Sequence, residues 1–457
     1  MWFHERLFVP MDRASAGRRW PPDATGNTGT RGSTMRRDLT LLALSSPLAL
    51  GAAPALAAVD HAETTTRDEI RAVVADMLAD AQTRSSLLRS SGTAGHDGSH
   101  FFVADASGDF ELNISGSIQY RYVATFRDDD DPAGGDVETG FDLRRLKMRF
   151  HGHAFSPNLR FKIQSDLQSG DLTLEDAYFG YHFEDSIWAV YAGQVRLPLL
   201  WEDVNSDNNG LAVSKSVVNT VFNPGRSKAA WLQFTDESFR GWLAFSDGAG
   251  SANTGYSAPN ADFALTSRLE WMFSGTDWSE FNLMSSFPGT EYHGKIGGAV
   301  HYQDGPNQSG FDDNELLTYG LDAQVKGDGW NVYAGFVGRH LKINEDAGPE
   351  YDDYGFLVQG GFFIPETDWE LFARYDMVLP DSDYANDSEF STVTAGANWF
   401  IYGNAARFTF DVQWHLDATE DNDLVNAIAV NAPDSINILP SGEENQFSLR
   451  AQVQLLF

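Results

Sequence analysis

Basic and apolar side chains alternate between residues 143 and 152. The basic positions are Arg145, Lys147, Arg149 and His151, and the apolar positions between them are Leu146, Met148 and Phe150. Successive residues of an extended strand point to opposite faces, so the basic side chains share one face. Clustered positive side chains lower the barrier that an anion meets and replace part of its hydration. We therefore predict an anion-attracting surface on this strand.

The next segment repeats the alternation after a tight turn at Ser156-Pro157-Asn158, and it adds Arg160 and Lys162 to the same face. The predicted basic wall comprises Arg145, Lys147, Arg149, His151, Arg160 and Lys162. An alternative remains open, in which these cations pair with carboxylates on the same wall and bind no solute. The carboxylates in question are Asp166, Glu175 and Asp176.

The elements that must position these residues are amphipathic strands. Residues 446–457 alternate between an apolar and a polar face and end on Phe457, as a membrane-spanning β-strand requires. Sixteen segments of this kind are predicted, at 109–127, 140–155, 158–169, 172–183, 187–196, 227–235, 239–247, 262–273, 291–304, 315–327, 329–343, 351–364, 368–379, 389–402, 404–417 and 445–457. An open sheet edge would leave unpaired backbone groups in lipid. The pattern predicts an all-β fold, a closed 16-stranded antiparallel transmembrane β-barrel over 105–457.

Connection lengths alternate along the chain. Tight turns follow the even strands and long acidic loops follow the odd ones, which is typical of outer-membrane barrels with periplasmic turns and external loops. Two connections break this rule: 169–171 is short and 274–290 is long. We expect one or two strand boundaries near them to be misplaced.

Composition excludes a helical membrane protein. The 457 residues carry a formal net charge of −33, no cysteine and 42 glycines, with little continuous apolar sequence. A mean hydropathy of −0.33 still permits a membrane barrel, because only alternate residues face lipid. The 32 phenylalanines and 12 tryptophans suit aromatic girdles at the membrane surfaces. No nucleic-acid partner is predicted.

The first hundred residues predict export. Arg36 and Arg37 precede an apolar run over 39–50 and an Ala55-Leu56-Ala57 cleavage site, the order of a signal peptide. We therefore predict translation from Met35 and removal of residues 1–57. Residues 58–104 are predicted to form a short N-terminal periplasmic helix at 66–88 and a linker at 90–99. The helix forms either a coiled coil between protomers or a lone amphipathic helix.

The long segment 197–226 contains apolar stretches, Leu197 to Trp201 and Val217-Val218, that would be unusual in water. We predict that it folds into the barrel mouth as a constriction loop. Lys215, Arg226 and Lys228 would then narrow the pore opposite the basic wall. In the alternative interpretation, the segment fills space between protomers.

Four stretches together resemble the phosphate-selective porin O and P family: Phe141 to Gly152, Ser156 to Leu159, Tyr191 to Pro198, and Val218 to Arg226. The resemblance covers about 105–457. It implies a homotrimeric sixteen-stranded outer-membrane porin whose third loop folds inward and whose lumen passes inorganic phosphate or other small anions. Arg145, Lys147 and Arg149 match family positions. The loop has Lys215 alone before Arg226, so a pore with broader selectivity is an alternative.

These observations predict a porin of the outer membrane of a Gram-negative-type bacterium, with no cofactor, no catalytic residue and no metal site. Expected partners are outer-membrane lipid, lipopolysaccharide and, through Phe457, the barrel-assembly machinery. Asp128 to Asp131 and Asp352-Asp353 are interpreted as solvated loops, with divalent bridging to lipopolysaccharide as the alternative. A general or cation-preferring porin and a barrel enzyme remain rival hypotheses.

Overall fold

The computed structural model describes residues 92–128, 135–168, 172–258, 260–305, 314–343 and 348–457. The predicted signal peptide, the helix at 66–88 and most of the acidic run Asp128 to Asp131 lie outside these residues.

Antiparallel strands dominate the described chain. They are β1 Thr93–His96, β2 Phe101–Ala104, β3 Glu111–Phe126, β4 Val137–His153, β5 Leu159–Asp166, β6 Thr173–His182, β7 Trp188–Arg196, β8 Arg226–Thr235, β9 Phe239–Ser246, β10 Phe263–Ser274, β11 His293–Asp304, β12 Asn314–Gly327, β13 Trp330–Ile343, β14 Glu350–Phe363, β15 Trp369–Leu379, β16 Phe390–Tyr402, β17 Ala406–His415 and β18 Gln446–Leu456. From β3 to β18 each strand pairs with the next, and β18 pairs back onto β3. The sixteen predicted strands are confirmed, each with both ends within three residues.

The seam between the first and last barrel strands is closed by the chain end. Gly116 and Phe457 exchange backbone hydrogen bonds, 3.1 Å from Phe457 N to Gly116 O. A Cβ at Gly116 would lie 2.6 Å from the Phe457 ring, so only glycine fits beside this aromatic side chain. The strands β1 and β2 form a hairpin, and β2 pairs with the first four residues of β3, Glu111 to Ile114. The segment 90–99, predicted as a linker, thus contains a strand.

The two strand faces differ as the alternation predicts. On β18 the side chains of Arg450, Gln452 and Gln454 are buried, while those of Leu449 and Val453 face outward. The same outward apolar face recurs around the barrel. None of the helices in the described ranges is long and apolar enough to cross a membrane.

The two connections that break the length rule have predicted strands on both sides, and boundaries beside them are displaced as expected: β5 ends at Asp166 and β11 begins at His293, three and two residues from the predicted ends. The long one, 275–292, lies at the end of the barrel with short turns. It carries a 3-10 helix, Trp278–Phe281, and turns into the barrel, where Phe281 and Met284 are fully buried. Lys326 Nζ donates to three backbone carbonyls of this segment at 2.7–2.9 Å. Burial of its apolar residues inside the lumen explains its length.

Loops fill part of the lumen. The connection between β7 and β8, here called the inward loop (197–225), contains α1 Trp201–Val204 and α2 Val217–Phe222. The last loop contains α3 Asp423–Asn431 and packs on α2. Side chains of α2 and α3 form an apolar core with β13, β15 and β16, which includes Val217, Val337 and Phe390. This core fills the lumen beside those three strands.

Candidate functional site

The inward loop crosses the lumen and is fixed to the opposite wall. Val217 N donates to Asp376 Oδ1 on β15 at 3.0 Å, and Asn398 Nδ2 on β16 donates to Leu211 O at 3.1 Å. Apolar burial supplements these bonds, since Val217 and Leu211 are at most 1% exposed. Among the described residues, the loop thus lies against β15 and β16, on the side of the lumen away from the basic wall.

Three connected cavities lie on the other side of the lumen, along β4 to β9. The outer cavity, about 620 Å³, lies toward the long loops; the middle cavity is about 240 Å³; the inner cavity, about 830 Å³, lies toward the short turns. Lys147 and Arg226 line both the outer and the middle cavity, and Arg149 and Lys162 line both the middle and the inner one. Together the cavities form a passage along the basic wall.

Charged side chains meet where the outer and middle cavities join, and we call this group the constriction cluster: Arg145, Lys147, Glu175, Arg196, Asp203, Asp207, Lys215 and Arg226. Asp207, from the inward loop, is surrounded by Lys147 at 3.0 Å, Arg145 at 3.2 Å, Lys215 at 3.3 Å and Arg196 at 3.4 Å. Across from it, Glu175 on β6 lies 2.9 Å from Lys147 and 3.1 Å from Arg226. Ion pairs thus connect the loop to the wall.

The loop carboxylate stays ionised. Burial disfavours the charge of Asp207, but the surrounding cations, Arg145 and Lys147 foremost, hold the pKa of Asp207 well below its ordinary value. Burial and the neighbouring Arg196 lower the pKa of Lys215, against the opposing effect of Asp207. The cluster therefore keeps a negative group among its cations at neutral pH.

The predicted basic residues have different surroundings. Lys162 Nζ lies 2.6 Å from Asp176, and Lys147 Nζ lies 2.9 Å from Glu175. These two lysines therefore pair with carboxylates of the same wall, as the alternative interpretation of the sequence expects. Among the described residues, Arg149 donates a side-chain hydrogen bond to Gln164 alone, at 2.8 Å, and the exposed Arg160 to the Pro157 carbonyl alone, at 3.3 Å. Within the described ranges neither arginine has a carboxylate within 4.0 Å. These two guanidinium groups are available to a solute.

His151 lines the inner cavity, with its ring centre 5.3 Å from that of His100. The described residues include no group of three histidine or carboxylate side chains placed to hold a metal ion. Asp353, interpreted from sequence as solvated, is instead buried against Arg339 at 2.6 Å. Asp352 pairs with His340 at 2.9 Å.

Of the three predicted constriction residues, only Lys215 lies in the loop. Arg226 and Lys228 belong to β8, because β8 begins at Arg226. Arg226 lies on the same side of the passage as the basic wall, and binds Asp176 at 2.8 Å. Lys228 lines none of the three cavities and pairs with Asp247 at 2.8 Å. Neither β8 residue therefore lies in the loop to which the sequence assigned the constriction.

Sequence reasoning missed several residues of the passage. Arg196 and the two loop carboxylates Asp203 and Asp207 are the main ones. Acidic residues beside the apolar stretches of the loop were the available signal, since a buried carboxylate requires a cationic partner. Arg240 and the aromatic side chains of the inner cavity carried no such signal.

Comparison with known proteins agrees with this architecture. The chain is similar in structure to the anion-selective porin from Comamonas acidovorans, with a TM-score of 0.53 at 11% identity over 76% of this chain and 99% of that one. It is also similar to the outer membrane channel DcaP of Acinetobacter baumannii, with a TM-score of 0.50 at 13% identity over 76% and 97% of the two chains. No curated protein sequence matches the chain significantly.

The sequence profile of one family matches a long continuous part of the chain. It is the profile of the family described as phosphate-selective porin O and P, and it matches residues 114–438. This range begins in β3 and ends in the last loop, so it includes the basic wall and the inward loop. The chain belongs to the phosphate-selective porin O and P family, and it is an outer-membrane porin.

Proposed function

We propose that this porin lets small hydrophilic anions, inorganic phosphate among them, diffuse passively along the β4 to β9 side of the lumen. The charge along the passage carries this proposal. Among the described residues, ten lysine and arginine side chains line the three cavities against six carboxylates. The excess is positive although the chain as a whole is formally −33. Low-dielectric walls focus such a local field on the permeating ion.

The basic wall and the constriction cluster have complementary roles in this proposal. Arg145 and Lys147 attract the anion at the narrowest part, while Asp207 and Glu175 limit how tightly it is held. A permeant ion must bind well enough to enter and weakly enough to leave. Arg149, Arg160 and Lys162 then conduct it toward the short-turn end. His151 contributes a further donor there, and Lys228 is left out of the pathway.

The reversal potential of the purified porin in a planar bilayer tests this proposal. Across a tenfold KCl gradient we expect the sign of an anion-selective channel, and phosphate added on both sides should reduce the chloride current. The cations of the passage, which exceed its carboxylates, are the reason for this expectation. A potential of the opposite sign would favour the alternative, a general or cation-preferring porin.

Replacing the loop carboxylate should strengthen anion selection. In Asp207→Asn, four cations lose a shared negative neighbour. Two unit charges about 4 Å apart interact by ~1 kcal/mol in water and by ~4 kcal/mol in a partly buried site. We expect the ratio of chloride to potassium permeability to rise about threefold or more, and phosphate to block at lower concentration.

Asp247→Asn is the matched control for this substitution, since Asp247 pairs with Lys228 away from the cavities and is 43% exposed. It should leave the permeability ratio as in the native porin. An unchanged or smaller ratio in Asp207→Asn would show that Asp207 does not act on the permeating ion.

For assembly we propose a homotrimer, as the family resemblance implies. The short strands support it: β5 to β9 have 8–10 residues, whereas β12 to β14 have 14. A tilted membrane strand needs about 9–11 residues, so strands of 8–10 residues barely span the membrane. Contact with neighbouring protomers would shield this side of the barrel from lipid. Size-exclusion chromatography with light scattering in detergent measures this state.

The remaining proposals concern export and surroundings. We propose that residues 1–57 are removed as a leader, that 58–104 lie in the periplasm, and that the chain is a channel without enzymatic activity or cofactor. The outward apolar face contacts outer-membrane lipid and lipopolysaccharide. Phe457, which lies where β18 pairs with β3, would be recognised by the barrel-assembly machinery. Mass spectrometry of the mature protein tests the first of these.

A further inference from the structure

Aromatic rings lie beside the cations where the middle and inner cavities join. Tyr178, Tyr191 and Trp242 line both cavities, as do Arg149 and Lys162. The tyrosine rings are 5.9 Å apart and edge to face, and Lys162 Nζ lies 5.8 Å from the centre of the Tyr178 ring. All three rings are only partly buried. Parts of these side chains are therefore exposed to the passage, although one face of the Tyr191 ring is covered by Trp231, with ring centres 5.0 Å apart.

Behind this junction lies an arginine with unused hydrogen-bonding capacity. Arg240 is 8% exposed, lines the inner cavity, and its guanidinium carbon lies 5.3 Å from the Trp242 ring and 4.4 Å from the Trp278 ring. Its Nε donates to Glu270, but its buried Nη2 makes no hydrogen bond to any described residue. Because this nitrogen is itself buried, Arg240 contributes positive charge behind the junction rather than a direct hydrogen bond to a ligand.

The charges around the inner cavity favour an anion over a cation. Its charged lining within the described ranges consists of Arg149, Arg160, Lys162 and Arg240 against Glu111 alone. Two of these cations, Arg149 and Arg160, lack a carboxylate partner, as shown above. An organic cation would be repelled here despite the rings. A carboxylate can instead accept charge-assisted hydrogen bonds from the guanidinium groups.

We propose that the junction of the middle and inner cavities is a binding site for aromatic carboxylates. The carboxylate binds Arg149, and the ring lies among Tyr178, Tyr191 and Trp242. Inorganic phosphate can use the cations but gains nothing from the ring faces, whereas an aromatic carboxylate uses both. This inference rests on the proposed anion-conducting function and names a class of solute for it.

Block of the chloride current distinguishes this site from a merely cationic pore. Benzoate and cyclohexanecarboxylate have the same charge and nearly the same size, but only benzoate has an aromatic face. In planar bilayers at pH 7, we expect the half-blocking concentration of benzoate to be about fivefold lower, as aromatic pairing of this kind predicts. The ratio of the two concentrations is the measured quantity, because a change in pore width affects both blockers alike.

Variants then locate the effect. Trp242→Ala should bring the ratio close to one, while Trp242→Phe should keep most of the preference. Phe245→Ala is the matched control, since Phe245 lies on the same strand and is 55% exposed on the outward face. If Trp242→Ala does not assemble, Tyr178→Leu provides the same comparison.

Equal block by the two carboxylates in the native porin, or an unaltered ratio in Trp242→Ala, would overturn the aromatic site. The reversal potential in KCl is recorded in the same membranes. Anion selectivity with a ratio of one would overturn only this inference, whereas cation selectivity would overturn the proposed function itself.

Discussion

Neutralising the basic strand with Arg145→Gln, Lys147→Gln and Arg149→Gln together should move the reversal potential in a KCl gradient most of the way toward zero. The substitutions remove three positive charges but leave Asp207 and Glu175 in the constriction cluster, so the excess of cations among the described residues of the passage falls from four to one. Unit charges about 4 Å apart interact by ~1–4 kcal/mol in such surroundings, so we expect the ratio of chloride to potassium permeability to fall at least about tenfold. The porin would then discriminate only weakly between chloride and potassium.

The barrel should still assemble in this triple variant. Asp207 keeps Lys215 and Arg196 as partners, and Glu175 keeps Arg226 at 3.1 Å, so neither buried carboxylate is left unpaired. Circular dichroism and heat-dependent gel mobility check the fold. Lys342→Gln serves as the control, because Lys342 pairs with Glu315 in a half-exposed position away from the cavities. Unchanged selectivity in the triple variant would show that the basic strand does not govern the passage.

Releasing the inward loop from the far wall should enlarge the conductance. Val217 is fully buried in the core that joins α2 to α3 and to β13, β15 and β16, and burying a valine stabilises by about 1.5 kcal/mol or more. In Val217→Asp this contribution is lost. A new carboxylate is also placed beside Asp376, which accepts the Val217 N–H at 3.0 Å. We expect a single-channel conductance about twofold higher or more, with weaker anion selectivity.

A surface position of the adjoining helix gives the control for this second substitution. Val430→Asp introduces the same side chain at a residue that is 60% exposed on α3. It should leave the conductance as in the native porin. If Val217→Asp assembles and conducts like the native porin, the anchoring of the inward loop does not limit the passage.

The barrel could be predicted because its signal is local. Apolar and polar residues alternate along each strand, as in residues 446–457, and this alternation determines which side chains point into the lumen. Connection lengths then give the ends of the barrel, and closure follows from the cost of unpaired backbone groups in lipid. The same alternation predicted that Arg145, Lys147 and Arg149 share one face of their strand.

The constriction cluster depends on contacts between residues far apart in the chain. Asp207 meets Lys147 across 60 positions, and the inward loop takes its path because Val217 and Leu211 bury against strands beyond residue 330. The alternation of polar and apolar residues in the sequence does not predict the course of such a loop. For the same reason the sequence placed Lys228 in the pore, and it gave no indication that 275–292 turns inward.

What the sequence by itself determined is therefore the strand set, the two faces of each strand and the location of the basic wall. Only the tertiary structure decided which side of the lumen holds the cavities and which carboxylates pair with the wall. It also decided that Arg149 and Arg160 line one cavity with Tyr178 and Trp242 and have no carboxylate partner among the described residues. The reason is physical: alternation follows from the geometry of a single strand, whereas the passage is the space left after distant loops have buried their apolar residues.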